Sequence, residues 1–310
     1  MDPIIILFGL GIGLLIGMTG MGGGSLMTPL LILVFGIQPT TAIGTDIFYA
    51  AITKTVGAWR HLRMKRVNLE LVKWLAMGSV PSALAGVALI SVLERQVGEE
   101  RLQSLVYAVL GGALLVVGAV MLTRALILRN LIHERDRFDV ERRHKVAAVL
   151  IGATTGFVIG ITSAGSGTVI AILLLVVYRL SPKRVVSTEI FHAAILLWAA
   201  GLAHWLSGNV DFVLAGNILL GSVPGVVVGA ALSDKAPQGA VRIALGLVMV
   251  GAGVMTIQKG DPTVWPIAAG VAAVGLGLIL AAPRWLHRRR EREAGKSAER
   301  SRRLASDAIG

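Results

Sequence analysis

The chain contains itself twice. Residues 13–89 align without a gap on residues 156–232, with 26 identities in 77 pairs, where a biased apolar composition alone gives roughly eight. The matched positions are mostly glycine, proline or polar: Gly17/Gly160, Thr19/Thr162, Gly22/Gly165, Gly24/Gly167, Pro39/Pro182, Thr45/Thr188, Phe48/Phe191, His61/His204, and Gly-Ser-Val-Pro at 78–81 and 221–224. Packing against lipid needs none of these residues, so the duplication predicts a working site where two halves meet.

At 55% hydrophobic and 15% charged, the chain is too apolar for a soluble protein of its length and reads as a membrane protein. The first apolar stretch follows Met-Asp-Pro without a basic flank and belongs to the repeat, so it is not expected to be a cleaved signal. Much of the net charge of +12 sits in residues 60–66, 124–145 and 284–310. That is the pattern of cytoplasmic loops under the positive-inside bias, and it does not point to nucleic acid. The absence of cysteine excludes disulfides and thiolate metal sites.

Apolar segments run over 4–18, 25–36, 41–59, 70–92, 102–123, 146–161, 168–178, 185–206, 212–232, 239–257 and 264–283. The pairs 4–18/25–36 and 146–161/168–178 are short: each member spans roughly 16–24 Å against a hydrocarbon core of about 30 Å. Between the members lie Met-Thr-Gly-Met-Gly-Gly-Gly-Ser (18–25) and Ile-Thr-Ser-Ala-Gly-Ser-Gly-Thr (161–168), too rich in glycine to stay helical at membrane depth. If each pair is a re-entrant hairpin, every basic segment falls on the cytoplasmic side; if the second pair crosses once, the loop with Lys183 and Arg184 and the tail with Arg288 to Arg290 fall outside. The hairpin is therefore expected.

A hairpin plus three crossings is an odd unit, so the two copies lie upside down relative to each other. The expected fold is an all-α polytopic membrane protein with two inverted repeats, each a glycine-broken helical hairpin plus three transmembrane helices, and one extra C-terminal transmembrane helix. Its divisions are a first repeat at 1–123, a basic cytoplasmic linker at 124–145, an inverted second repeat at 146–258, the extra helix at 259–283 and a basic cytoplasmic tail at 284–310. The N-terminus is expected outside and the C-terminus in the cytoplasm, with the tail touching anionic lipid of the cell inner membrane.

Irregular backbone inside a bilayer is tolerated only where protein or water satisfies it. Ser25 and Thr168 align where N-caps would open the second half-helix of each hairpin. Two helix N-termini, each with free N–H groups and about half a positive charge, would then face each other from opposite leaflets. The candidate anion-binding residues are Thr19, Gly22, Gly23, Gly24 and Ser25 in the first turn, and Thr162, Ser163, Gly165, Ser166, Gly167 and Thr168 in the second. The bland alternative, glycines that only allow close helix packing, is weaker because the breaks match in both halves.

Ionisable residues within spans are functional candidates by default. Asp46 aligns with Glu189, each preceded by Thr and followed by Ile-Phe, and Tyr49 and His192 stand three residues on, on the same helical face. The pair can carry protons or gate the two vestibules, with His192 a side chain of the type that titrates near neutral pH. The alternative is a helix-opening carboxylate held by its own dipole. Lys54, whose counterpart is Leu197, can bind substrate, pair with an acid or snorkel, and snorkelling is the expectation. His61 and His204 are expected to pack near membrane surfaces. Pro81 and Pro224 are expected to kink their helices and free carbonyls near the site. No cofactor fingerprint or metal cluster is present.

The Gly-x-Gly-Gly-Gly turn, its Gly-x-Gly echo at 165–167 and the paired Thr-Asp and Thr-Glu segments resemble the TauE/SafE family of sulfite and organosulfonate exporters. The resemblance covers residues 5–283 and implies movement of small sulfur-containing anions such as sulfite, thiosulfate or sulfoacetate. The expectation is a secondary transporter of such an anion by alternating access, powered by protons or by the substrate gradient. Two alternatives stand beside it: a membrane-embedded enzyme using Asp46, Glu189 and His192, and a passive anion channel.

Overall fold

The computed structural model describes residues 2–19, 24–126, 142–164, 167–178, 180–232 and 238–273. Its helices are α1 (Pro3–Thr19), α2 (Gly24–Val34), α3 (Pro39–Arg63), α4 (Leu69–Val97), α5 (Glu99–Leu126), α6 (Arg142–Thr162), α7 (Thr168–Tyr178), α8 (Pro182–Leu206), α9 (Phe212–Leu232), α10 (Gln238–Lys259) and α11 (Pro262–Ala273). Pro39 and Pro182 open α3 and α8, where a missing N–H costs nothing and the fixed φ suits the helix. Asn68 caps α4 by accepting from the Leu71 N–H at 3.1 Å. Asp211 does the same for α9, accepting from the Val213 and Leu214 N–H groups, both at 2.9 Å.

Six helices, α4, α5, α6, α8, α9 and α10, are long and apolar enough to cross a membrane. By contrast α2 and α7, with 11 residues each, reach only about 16 Å. The helix expected at 146–161 is longer than its apolar stretch: α6 starts at Arg142 and has 21 residues, about 31 Å. Its basic first turn continues the helix, with Lys145 paired to Glu70 of α4 at 3.1 Å. The half-helix description therefore suits α7 but not α6. Residues 127–141 of the linker, the extra span beyond residue 273 and the 284–310 tail lie outside the described residues.

Polarity is arranged as lipid demands. Large apolar side chains such as Leu7, Val56, Leu150, Val213 and Val227 are more than half exposed, while Thr45, Asp46, Ser79, Thr188, His192, His204 and Ser222 are fully buried. A water-soluble protein hides the first set, and hydrocarbon tolerates it.

Close packing is built on glycine at four-residue spacing. A Cβ on Gly13 or Gly17 of α1 would strike the Ser222 or Val226 carbonyl of α9, and one on Gly156 or Gly160 of α6 would strike that of Ser79 or Ala83 of α4. Each of these two helix pairs runs parallel. Since α1 and α6 are repeat counterparts, as are α9 and α4, each half lays its first helix on the fourth helix of the other. Several glycines shared by the repeats thus serve helix contact.

Two further counterpart pairs, α3 with α8 and α5 with α10, meet head to tail. On α3 and α8, Trp198 Nε1–H donates to Thr55 Oγ1 at 2.8 Å, His61 Nδ1 and Ser187 Oγ are 2.9 Å apart, and Gly201 sits against Phe48. On α5 and α10, Gly111 lies against Gly253 and Gly118 against Gly246. Both pairs are antiparallel.

Candidate functional site

The threonines of the Thr-Asp and Thr-Glu segments fasten one half to the other. Thr45 Oγ1 accepts from the N–H of Asp211, the cap of α9, at 3.0 Å, and Thr188 Oγ1 accepts from the N–H of Asn68, the cap of α4, at 3.1 Å. Each α3 or α8 threonine so holds a helix start of the opposite half, and the acid that follows it is turned to the interior.

Asp46 is completely buried. Its Oδ2 accepts from Thr28 Oγ1 of α2 at 2.5 Å and from Ser163 Oγ, just past α6, at 2.8 Å. Its Oδ1 is buried with no hydrogen-bond partner among the described residues. The carboxylate therefore ties together the segment just after the first glycine turn and the segment that opens the second. Ser163 stands at φ +58°, a left-handed conformation that costs a side-chain-bearing residue roughly 1–3 kcal/mol and persists only where its surroundings enforce it. The Ile159 carbonyl, accepting from the Ser163 N–H at 2.8 Å, and the Asp46 carboxylate supply that enforcement.

Glu189, the counterpart of Asp46, is held differently. Lys54 Nζ donates to its Oε1 at 2.5 Å, and both side chains are buried. The expectation that Lys54 snorkels is corrected: antiparallel packing of α3 on α8 carries it inward to an acid that desolvates with it. His192 is fully buried, with Nε2 2.8 Å from Ser79 Oγ of α4. Its counterpart Tyr49 is buried facing Ser222, the counterpart of Ser79. Neither of those two hydroxyls has a hydrogen-bond partner among the described residues.

Other expected site residues are placed as follows. Helix α2 begins at Gly24 and α7 at Thr168, with the Gly167 carbonyl accepting from the Ala171 N–H at 3.1 Å. Ser25 and Thr168 thus lie in the first turn of their helices. The Thr162 hydroxyl donates to the Val158 carbonyl at 2.7 Å and accepts from the Ala164 N–H at 3.2 Å. Gly22, Gly23, Gly165 and Ser166, and the side chains of Thr19, Ser25 and Thr168, lie outside the described residues. Pro81 and Pro224 sit in unbroken helices on exposed faces, beside exposed Met77 and Leu220.

His204, near the end of α8, is fully buried. Its Nε2–H donates to the Gly160 carbonyl at 2.9 Å, one of the last four carbonyls of α6 that no helical N–H can reach. It thus anchors the last turn of α6 three residues before Ser163. Replacing His204 with leucine leaves that carbonyl unpaired, and we expect a loss of about 1–3 kcal/mol, read as a lower melting temperature of the purified protein in detergent. Thr28 was not legible as a site residue, since its repeat counterpart is Ala171. Among the described residues no three His, Cys, Asp or Glu side chains cluster as a metal site.

The sequence profile of the family described as "Sulfite exporter TauE/SafE" matches residues 5–256. The chain belongs to the TauE/SafE family. Curated relatives agree: it is 39% identical over 235 residues, 76% of this chain and 91% of the other, to the probable membrane transporter protein YjnA of Bacillus subtilis (strain 168). It is 26% identical over 255 residues, 82% of this chain and 99% of the other, to the probable membrane transporter protein YdhB of the same organism. A third relative, the probable membrane transporter protein MJ0441 of Methanocaldococcus jannaschii, is 26% identical over 215 residues, 67% of this chain and 74% of the other. No solved structure matches the chain. This TauE/SafE member is thus a multi-pass membrane protein of a transporter family, and that family points to transport over catalysis.

Proposed function

We propose that the protein carries a small sulfur-containing anion, of the sulfite, thiosulfate or organosulfonate class, across the cell inner membrane by alternating access. The anion binds at the N-termini of α2 and α7, and protons on the buried carboxylates drive net movement. The observation that carries this reading is Asp46: one buried carboxylate accepts from Thr28 and from Ser163, so the two glycine-broken segments converge on a group that can gain and lose charge. Short α2 and α7 support a re-entrant arrangement, because neither alone spans a bilayer. The substrate class rests on the family and on the fit between an anion and paired helix N-termini.

The two halves are read as inverted repeats. Counterparts α3 and α8 pack antiparallel, as do α5 and α10, which is what an axis lying in the membrane plane produces. The basic loops put the N-terminus outside and the C-terminus in the cytoplasm, with anionic lipid against the basic tail. Single cysteines introduced into this cysteine-free chain test the orientation. Ile37→Cys and Asn209→Cys are expected to label from outside, and Met64→Cys and Lys183→Cys only after permeabilisation. Labelling of Lys183→Cys from outside would sink the re-entrant reading and the inversion with it. Uptake of sulfite, thiosulfate and sulfoacetate into proteoliposomes, with and without a pH gradient, tests the substrate class and the coupling. Saturable uptake of at least one of them is expected, and uptake of none contradicts the proposal.

A further inference from the structure

Lys54 is the sole buried lysine or arginine among the described residues. In an apolar interior a positive side chain is costly unless an anion neutralises it, and in this structure Glu189 does so at 2.5 Å. The repeat does not explain the lysine, because the aligned position in the second half is Leu197, fully buried. A cation placed in one half alone, between the two counterpart helices, is an asymmetry that packing does not require. We propose that Lys54 is a side chain of the anion site proposed above, pairing with the transported anion, and that Glu189 accepts one proton as the anion displaces it. This deepens the transport reading above and rests on it.

The reason is charge. The ammonium and carboxylate together are neutral, so an entering anion leaves the buried cluster negative by the anion's own charge. Taking up a proton on Glu189 cancels one of those charges, so anion and proton bind together, one of each per chain. The buried titratable groups on the two helices that carry the pair are His192, one turn along α8 with its Nε2 on Ser79 of α4, His204, with its Nε2 on the Gly160 carbonyl, and on α3 Asp46 and Tyr49. None of these adds a second cation hydrogen-bonded to the pair among the described residues. Lys54 uses one of its three N–H donors on Glu189, which leaves capacity for an oxyanion.

The test uses the full-length protein in proteoliposomes, and the probe is whichever of sulfite, thiosulfate and sulfoacetate the wild type carries best. Glu189→Gln mimics the protonated acid. It is expected to retain exchange, to bind the anion more tightly by roughly 5- to 150-fold, the usual size of such coupling, and to lose stimulation by a pH gradient. Lys54→Gln is expected to lose uptake, and the double variant to remain inactive though inserted. A purely structural pair behaves otherwise: each single variant strands a buried charge and fails, and the double variant recovers. Recovery in the double variant, or wild-type pH stimulation in Glu189→Gln, overturns the proposal. If Glu189→Gln does not fold, proton uptake by wild type on adding the anion in weakly buffered detergent decides it: about one proton per anion is expected by linkage, and none overturns the proposal. Wild type that moves none of the three anions sinks the transport reading itself, and this proposal with it. Wild type that transports while the variants follow the structural pattern sinks this proposal alone.

Discussion

Gly24→Leu and Gly167→Leu each abolish anion flux while leaving a folded, membrane-inserted protein. Gly24 is the first residue of α2, and Gly167 supplies the carbonyl that opens α7. These are the places where the backbone N–H groups of a helix start are free to meet an anion. A leucine side chain at either position occupies the approach that a bound oxyanion needs. The loss is expected to reach background flux, measured in proteoliposomes with surface expression as control. Normal transport by both variants would move the anion site away from these turns.

Asp46→Leu is the second large effect. The substitution removes the acceptor shared by Thr28 and Ser163 and strands two buried hydroxyls. It also withdraws one of the contacts that hold Ser163 at its positive φ. Each unmet group costs about 1–3 kcal/mol, and transport is expected to disappear along with part of the stability. Asp46→Asn separates structure from proton traffic. Its amide oxygen can still accept from both hydroxyls, while its NH₂ takes the place of the unpartnered Oδ1. The variant is expected to insert, to retain anion exchange and to lose stimulation by a pH gradient, since exchange does not require the empty carrier to reset. If Asp46→Asn keeps wild-type pH dependence, this carboxylate is structural.

What the sequence disclosed follows from which forces are local. The helix breaks after Thr19 and Thr162 and the short α2 and α7 depend on residues close in the chain, and they were legible. The length of α6 was not, because a hydropathy pattern stops at the first charged residue whereas a helix stops only where its backbone hydrogen bonds do. Lys54 misled for a related reason. Alignment of the repeats pairs position 54 with Leu197, but in an antiparallel pair of helices a residue meets its complement from the other end, and that is Glu189. His204 and the threonines at 45 and 188 gave no signal of their roles, since the carbonyl or N–H that each satisfies belongs to a distant segment. Not every glycine shared by the repeats points to the site, for Gly17, Gly160, Gly78 and Gly221 let helices touch.

Counterflow tests the carrier reading most directly. Proteoliposomes loaded with a high concentration of unlabelled sulfite, thiosulfate or sulfoacetate are diluted into a trace of the same labelled anion. A carrier that alternates around one anion site gives a transient accumulation of label above equilibrium, saturable in the external anion. Label that enters no faster than the concentration gradient dictates would show a channel, and chemical conversion of the anion would show an enzyme; either result contradicts transport by alternating access.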